Sequence, residues 1–258
     1  MANGLAERLW RARCDGGTLP LSDGNSLTGP DDGYAVQRDA IQAGGMARAG
    51  WKIGATSEAA QKLLSAREPA TAPLLQPLCY SSPAELPMFP GQHTSVESEF
   101  AFRFAKPLPV RDEDYGIDEV LDAVGTMMPA IEVVACRFDG GFPGLGDARL
   151  IADMVANAAW VEGPSSGDWR GRDLTSHRVQ LSRNGELVAE GTGAAVLGNP
   201  LNVLLWTANH LSRLGDGIAE GEVISTGTCT GVTAVDPGDV MVAGFGDLGQ
   251  VEVAFLAA

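Results

Sequence analysis

Three glutamates and one lysine are the residues whose types and spacing can do chemistry in this chain. From Glu97 to Phe104 (Glu-Ser-Glu-Phe-Ala-Phe-Arg-Phe) residue types alternate strictly, the period of a β-strand. Alternation sets Phe100, Phe102 and Phe104 on one face and Glu97 and Glu99 on the other, their Cα atoms ~6–7 Å apart. With the phenylalanines in the core, the glutamates face a cavity or, as the plain alternative, solvent. Glu132 interrupts the apolar run from Pro129 to Ala135, where an unpartnered carboxylate is costly. Its partner is either an arginine, Arg103 or Arg137, or a metal ion. Three glutamates on two neighbouring strands leave positions for water and substrate and suit the hard-oxygen preference of Mg²⁺ or Mn²⁺.

Lys52 lies in Gly50-Trp51-Lys52-Ile53-Gly54, where glycines let backbone approach a ligand closely. Partly desolvated beside a bound cation, it would have a lowered pKa and act as a general base. A strand lysine with its ammonium in water is the alternative. Other metal chemistry is excluded by composition. Cys14, Cys79, Cys136 and Cys229 form no C-x-x-C pair and read as buried, reduced thiols, and the three histidines lie far apart.

The elements that must position these groups follow from pattern. Helices are expected at 2–14, 31–49, 57–65 (with Ser57 as N-cap), 117–127 and 199–214, the last capped by Asn199 with Pro200 at its first position. Residues 68–92, with six prolines, read as a long irregular connection. Strands are expected at 97–105 and 130–135. Asn184-Gly185 signals a type I′ hairpin, and the C-terminal third is strand-like. The organisation expected is a helical N-terminal region, residues 1–70, carrying the Lys52 segment, integrated with a mostly β catalytic core, residues 71–258.

The chain has 258 residues and a net charge of −15, from 18 basic and 33 acidic side chains. Such a field repels polyphosphates and argues against a nucleic-acid or anionic-membrane binder. No apolar run reaches the ~20 residues of a membrane span, and the N-terminus lacks a signal-peptide core. A cytoplasmic protein is expected.

Six motifs in chain order carry a resemblance: DDGYAVQRDA (31–40), GWKIGAT (50–56), ESEFAF (97–102), PAIEVVACR (129–137), GNPLNVLLWTANHLSRLG (198–215) and TGTCTGVTAVDPGD (226–239). The chain resembles the fumarylacetoacetate hydrolase superfamily, in its branch of 2-oxopent-4-enoate hydratases and 4-oxalocrotonate decarboxylases. The resemblance implies an α+β fold, a mixed β-sandwich roll with peripheral helices, assembled as a homo-oligomer. It implies Mg²⁺ or Mn²⁺ at Glu97, Glu99 and Glu132, Lys52 as the acid/base, and substrate contacts from Ile53, Gly54, Asn157, Gly227 and Thr228. The activity implied is hydration of a 2-hydroxy-dienoate or 2-oxo-enoate to a 4-hydroxy-2-oxo acid, a step of aromatic catabolism.

Two departures bear on this. Pro77 stands where the hydratases carry an aspartate, and Ala156 stands where an Asp-Asn pair has its Asp, with Asp153 one turn earlier. They open alternatives: decarboxylation of a 2-oxo-3-enedioate, acylpyruvate-type hydrolysis, or a non-catalytic partner subunit of a paralogous enzyme. Hydrolases of the superfamily activate water with a His–Glu dyad, and His93, four residues before Glu97, is the residue here that would fill it.

Overall fold

The computed structural model describes residues 2–256. In chain order the helices are α1 (Ala2–Asp15), α2 (Pro30–Gly44), α3 (Glu58–Leu64), α4 (Ile117–Ala123), α5 (Asp147–Ala152) and α6 (Pro200–Arg213). The strands are β1 (Arg48–Gly54), β2 (Ala70–Leu75), β3 (Cys79–Ser81), β4 (Ala84–Leu86), β5 (Thr94–Phe104), β6 (Val124–Ala135) and β7 (Asn157–Glu162). They continue with β8 (Arg178–Arg183), β9 (Glu186–Thr192), β10 (Val223–Thr228), β11 (Thr233–Ala234), β12 (Val240–Gly244) and β13 (Gln250–Phe255).

Two mixed sheets result. One runs β2-β1-β10-β5-β6-β7-β3, with β11 also pairing β5; the other runs β4-β13-β12-β8-β9. Phe100, Phe102 and Phe104 are fully buried in the core between the sheets, against residues such as Met241, Val251 and Phe255. Each contributes roughly 1.5–3 kcal/mol by leaving water. A second core joins α1, α2, α3 and α5 with β2. The alternation of β5 therefore does two jobs: its phenylalanines join the sheets, and its glutamates lie on the opposite face, where Glu97 lines a cavity bordered by α3.

Several boundaries differ from the sequence expectation, each for a physical reason. Helix α2 stops at Gly44 because Gly45 is left-handed at φ +61° and caps it, leaving Arg48 onward free to pair as β1. Helix α4 ends at Ala123, and the β-branched Val124 opens β6. The stretch 68–92 is not an irregular connection: it carries β2, β3 and β4. Pro73 is accommodated there because β2 is an edge strand, where a missing N–H costs no ladder bond. Ser57 caps α3 by accepting from the Ala60 N–H at 3.1 Å, and Asn199 caps α6 by accepting from Leu201. Asn184 (φ +53°) and Gly185 (φ +86°) make the tight turn between β8 and β9.

Candidate active site

The β5–β6 register sets Glu97 directly opposite Glu132. Like charges in facing positions repel, so the pair needs a cation. Lys52 on β1 supplies one: its Nζ lies 3.1 Å from Glu132 Oε1, with 2% and 0% of the two side chains exposed. Neither Arg103 nor Arg137 serves this role; Arg103 pairs with Glu162, and Arg137 with Asp153 at 3.1 Å.

Each fully buried glutamate has one oxygen held and one free. Glu132 Oε1 accepts from Asn157 Nδ2 at 3.0 Å as well as from Lys52, while its Oε2 has no partner. Glu99 Oε2 accepts from Ser225 Oγ at 2.5 Å, whose own partner is Trp160 Nε1 at 2.9 Å; Glu99 Oε1 has none. Glu97, Glu99 and Glu132 each offer an oxygen within 4.8 Å of the others. Orphaned anionic oxygens in an interior are expensive, and a cluster of them is the donor set of a hard divalent cation. The residues fit Mg²⁺ or Mn²⁺.

Electrostatics follow from the crowding. Burial pushes Glu97 up to about 7, with Lys52 pulling back and Glu132 adding to the rise. Burial, then Glu132 and Glu97, hold Glu99 well above the usual carboxylate range. Burial also raises Glu132, against Lys52 and Asn157. At Lys52 burial acts downward, but Glu132, Glu97 and Glu99 together outweigh it and the net direction is up. The lowering expected from sequence is thus not what these four groups produce among themselves.

A left-handed turn shapes the wall beside Lys52. Met154, Val155 and Ala156 have φ of +52°, +50° and +58°, a conformation costing β-branched and other non-glycine residues roughly 1–2 kcal/mol each. It places the Val155 carbonyl 2.9 Å from Lys52 Nζ and turns the chain so that Asn157 starts β7 facing Glu132. Arg13 of α1 donates to Asn157 Oδ1 at 3.0 Å and also to its carbonyl. Asp153 is spent on Arg137, taking its backbone N–H at 2.8 Å and its guanidinium, and does not replace an acid at Ala156.

A cavity of about 340 Å³ opens above this cluster. Lys52, Ile53, Gly54, Glu97, Gly227 and Thr228 all line it. Gly227, at φ +102°, has no room for a Cβ, which would strike the Thr56 side chain; a Cβ on Gly54 would strike Val155 and come within 3.4 Å of Lys52 Nζ. His93 is exposed and opens instead on a smaller cavity with Thr18 and Asp139. Pro77 is exposed and lies outside the main cavity. Ser225 and Trp160 escaped the sequence reading although Ser225 adjoins the Thr226–Thr228 motif. Arg13 escaped it with no local signal at all.

Fold and site together define a two-sheet α+β protein with an acidic triad for a divalent cation beside a buried lysine. The fumarylacetoacetate (FAA) hydrolase C-terminal family matches residues 52–255, and the chain belongs to it. It is 33% identical to a 2-keto-4-pentenoate hydratase of Paraburkholderia xenovorans (strain LB400), over 97% of this chain and 93% of that one. It is 28% identical to a 2-oxo-hept-4-ene-1,7-dioate hydratase of Escherichia coli, over 88% of this chain and 86% of the relative. The structure of 4-oxalocrotonate decarboxylase from Pseudomonas putida G7, complexed with magnesium and adipate, superposes with a TM-score of 0.87 at 26% identity, covering 99% of this chain and 97% of that one. No helix among the described residues is long and apolar enough to cross a membrane.

Proposed function

We propose that this protein is a divalent-cation-dependent lyase that adds water to a 2-hydroxy-2,4-dienoate, through its 2-oxo-enoate tautomer, to give a 4-hydroxy-2-oxo acid. The observation that carries this reading is the pair of orphaned, buried carboxylate oxygens on Glu99 and Glu132, beside Glu97 and Lys52. Glu97, Glu99 and Glu132 hold Mg²⁺ or Mn²⁺, and the bound ion supplies the Lewis acidity that stabilises the enolate of a 2-oxo acid. Lys52 Nζ, fixed between Glu132 and the Val155 carbonyl, is the group that moves protons. Held as the ammonium by these carboxylates, it gives a proton to the far end of the dienoate and takes the 2-hydroxyl proton in return as the ketone forms. Water then adds at C4 and the enolate takes a proton at C3, so the sum is one water gained. Gly227 and Thr228 receive the substrate carboxylate through backbone N–H and hydroxyl groups, Ile53 and Gly54 form the floor, and Asn157 holds Glu132.

A second reading, decarboxylation of a 2-oxo-3-enedioate, is favoured by one observation. Among the described residues lining the cavity, Lys52 and Glu97 are the only ionisable side chains, so no separate acid stands ready to activate water, and loss of CO₂ needs none. In either reading the working form is a cytoplasmic homo-oligomer, and complex formation with a paralogous hydratase or decarboxylase is checked by light scattering of the mixed proteins.

Proton NMR of 2-oxopentanoate in D₂O tests the shared chemistry. The C3 proton signal is expected to disappear with Mg²⁺ present, and to persist with Lys52→Ala or Glu132→Gln protein that circular dichroism shows to be folded. Exchange that needs no divalent ion, or that survives Lys52→Ala, would overturn the assignment. Product analysis with a dienoate and an enedioate then separates hydration from decarboxylation.

A further inference from the structure

The cavity is larger and more apolar than the head-group chemistry requires. Its 340 Å³ is the liquid volume of roughly eleven waters at ~30 Å³ each. A five-carbon 2-oxo acid has eight non-hydrogen atoms, and bonded atoms pack closer than separate waters. Apart from Lys52, Glu97 and three hydroxyl side chains, Thr56, Ser57 and Thr228, the walls are nonpolar, among them Leu63, Phe142, Leu150 and Val232. Leu63 on α3 and Val232 in the loop after β10 are 50% and 49% exposed, so the apolar surface continues to the mouth. Among the described lining residues Lys52 is the sole cation, and it is already committed to Glu132 and the Val155 carbonyl.

We infer that the substrates are monocarboxylic 2-oxo or 2-hydroxydienoic acids whose far end is an uncharged, apolar tail extending past five carbons, and that a second carboxylate at that end is rejected. This rests on the proposed function for the head group and adds the tail. Each methylene buried against these walls strengthens binding about fourfold. A terminal carboxylate set against Phe142 and Leu150 gives up water without meeting a cation, a costly exchange in a site of this kind.

Isothermal titration calorimetry on the Mg²⁺-loaded protein tests this with three saturated acids that bind without being hydrated: 2-oxopentanoate, 2-oxooctanoate and 2-oxohexanedioate. The octanoate is expected to bind at least tenfold tighter than the pentanoate, and the hexanedioate at least tenfold weaker. Leu63→Ala, at an exposed position that tolerates truncation, is expected to weaken the octanoate threefold to tenfold and the pentanoate less than twofold. A hexanedioate that binds as well as the pentanoate, an octanoate that binds no tighter, or an equal loss of both in Leu63→Ala each overturns the inference. The two readings fail separately. If the affinity order holds while C3 exchange is absent, the tail assignment stands and the lyase reading falls; if exchange occurs with the order inverted, the reverse is true.

Discussion

At the scale of single residues, Asn157 is held at both ends of its amide. Its Nδ2 donates to Glu132 and its Oδ1 accepts from Arg13. Flipped, the amide would aim oxygen at a carboxylate, so Arg13 decides which end faces Glu132 and thereby how that carboxylate presents its free oxygen. Groups that orient metal ligands typically control affinity by about 10–100-fold. Arg13→Ala is expected to weaken Mn²⁺ binding by about tenfold or more, read by electron paramagnetic resonance, with Arg13→Lys recovering part of it. An unchanged Mn²⁺ affinity would show that β7 alone holds Asn157. Glu97, Glu99, Glu132 and Lys52 sit in patterned strands whose alternation or interrupted apolar run marks them, and the structure brings all four together. Arg13 lies 144 positions from its partner, in an ordinary amphipathic helix, and nothing in its neighbourhood distinguishes it from Arg11. His93 shows the converse: sequence proximity to Glu97 is no guide, because its side chain opens on a different cavity.

At the scale of elements, the sequence was legible where caps and periodicity agree, as at α3, α6 and the Asn184-Gly185 hairpin. It was least legible between residues 68 and 92, where prolines mask short edge strands, two of whose pairing partners, β7 and β13, lie far away in the chain. The left-handed turn at 154–156 was also invisible, since Met, Val and Ala are poor indicators of positive φ. The junction of α2 with α6 was equally silent, and it carries a pH response. His210 on α6 bonds the Tyr34 hydroxyl at 2.9 Å and stacks on Trp206 at 4.4 Å, and burial first, then Arg213, lowers its pKa to about 4. A depressed folded-state pKa means the unfolded chain takes the proton first. The stabilisation from neutral His210 is therefore complete above ~6.5 and is lost as pH falls toward about 4. Over that window it amounts to about 3 kcal/mol. His210→Gln keeps a partner for Tyr34 but cannot titrate. Denaturant melts at pH 7 and pH 4.5 are expected to show a smaller acid loss in the variant than in the parent; equal losses would place the acid sensitivity elsewhere.

At the scale of the molecule, a net charge of −15 surrounds a site meant for an anionic acid. Once a divalent ion has displaced any protons, the three glutamates and Lys52 carry minus two, which the ion cancels. The same surface field therefore attracts the cation and repels the substrate, and screening must move the two in opposite directions. The field reaches ~30 Å at 0.01 M salt but only ~8 Å at 0.15 M. Raising ionic strength across that range is expected to weaken Mg²⁺ binding several-fold. With Mg²⁺ kept saturating, the same change is expected to raise kcat/KM for a dienoate about twofold to threefold, chiefly through KM. Steady-state kinetics and Mg²⁺ titrations at matched salt read both. If kcat/KM instead falls with salt, the substrate is being drawn in by a local positive field, and the cation-loaded cluster rather than the acidic surface governs its approach. The apolar mouth at Leu63 and Val232 favours the first outcome, because among the described lining residues it offers an incoming carboxylate no charge to steer by.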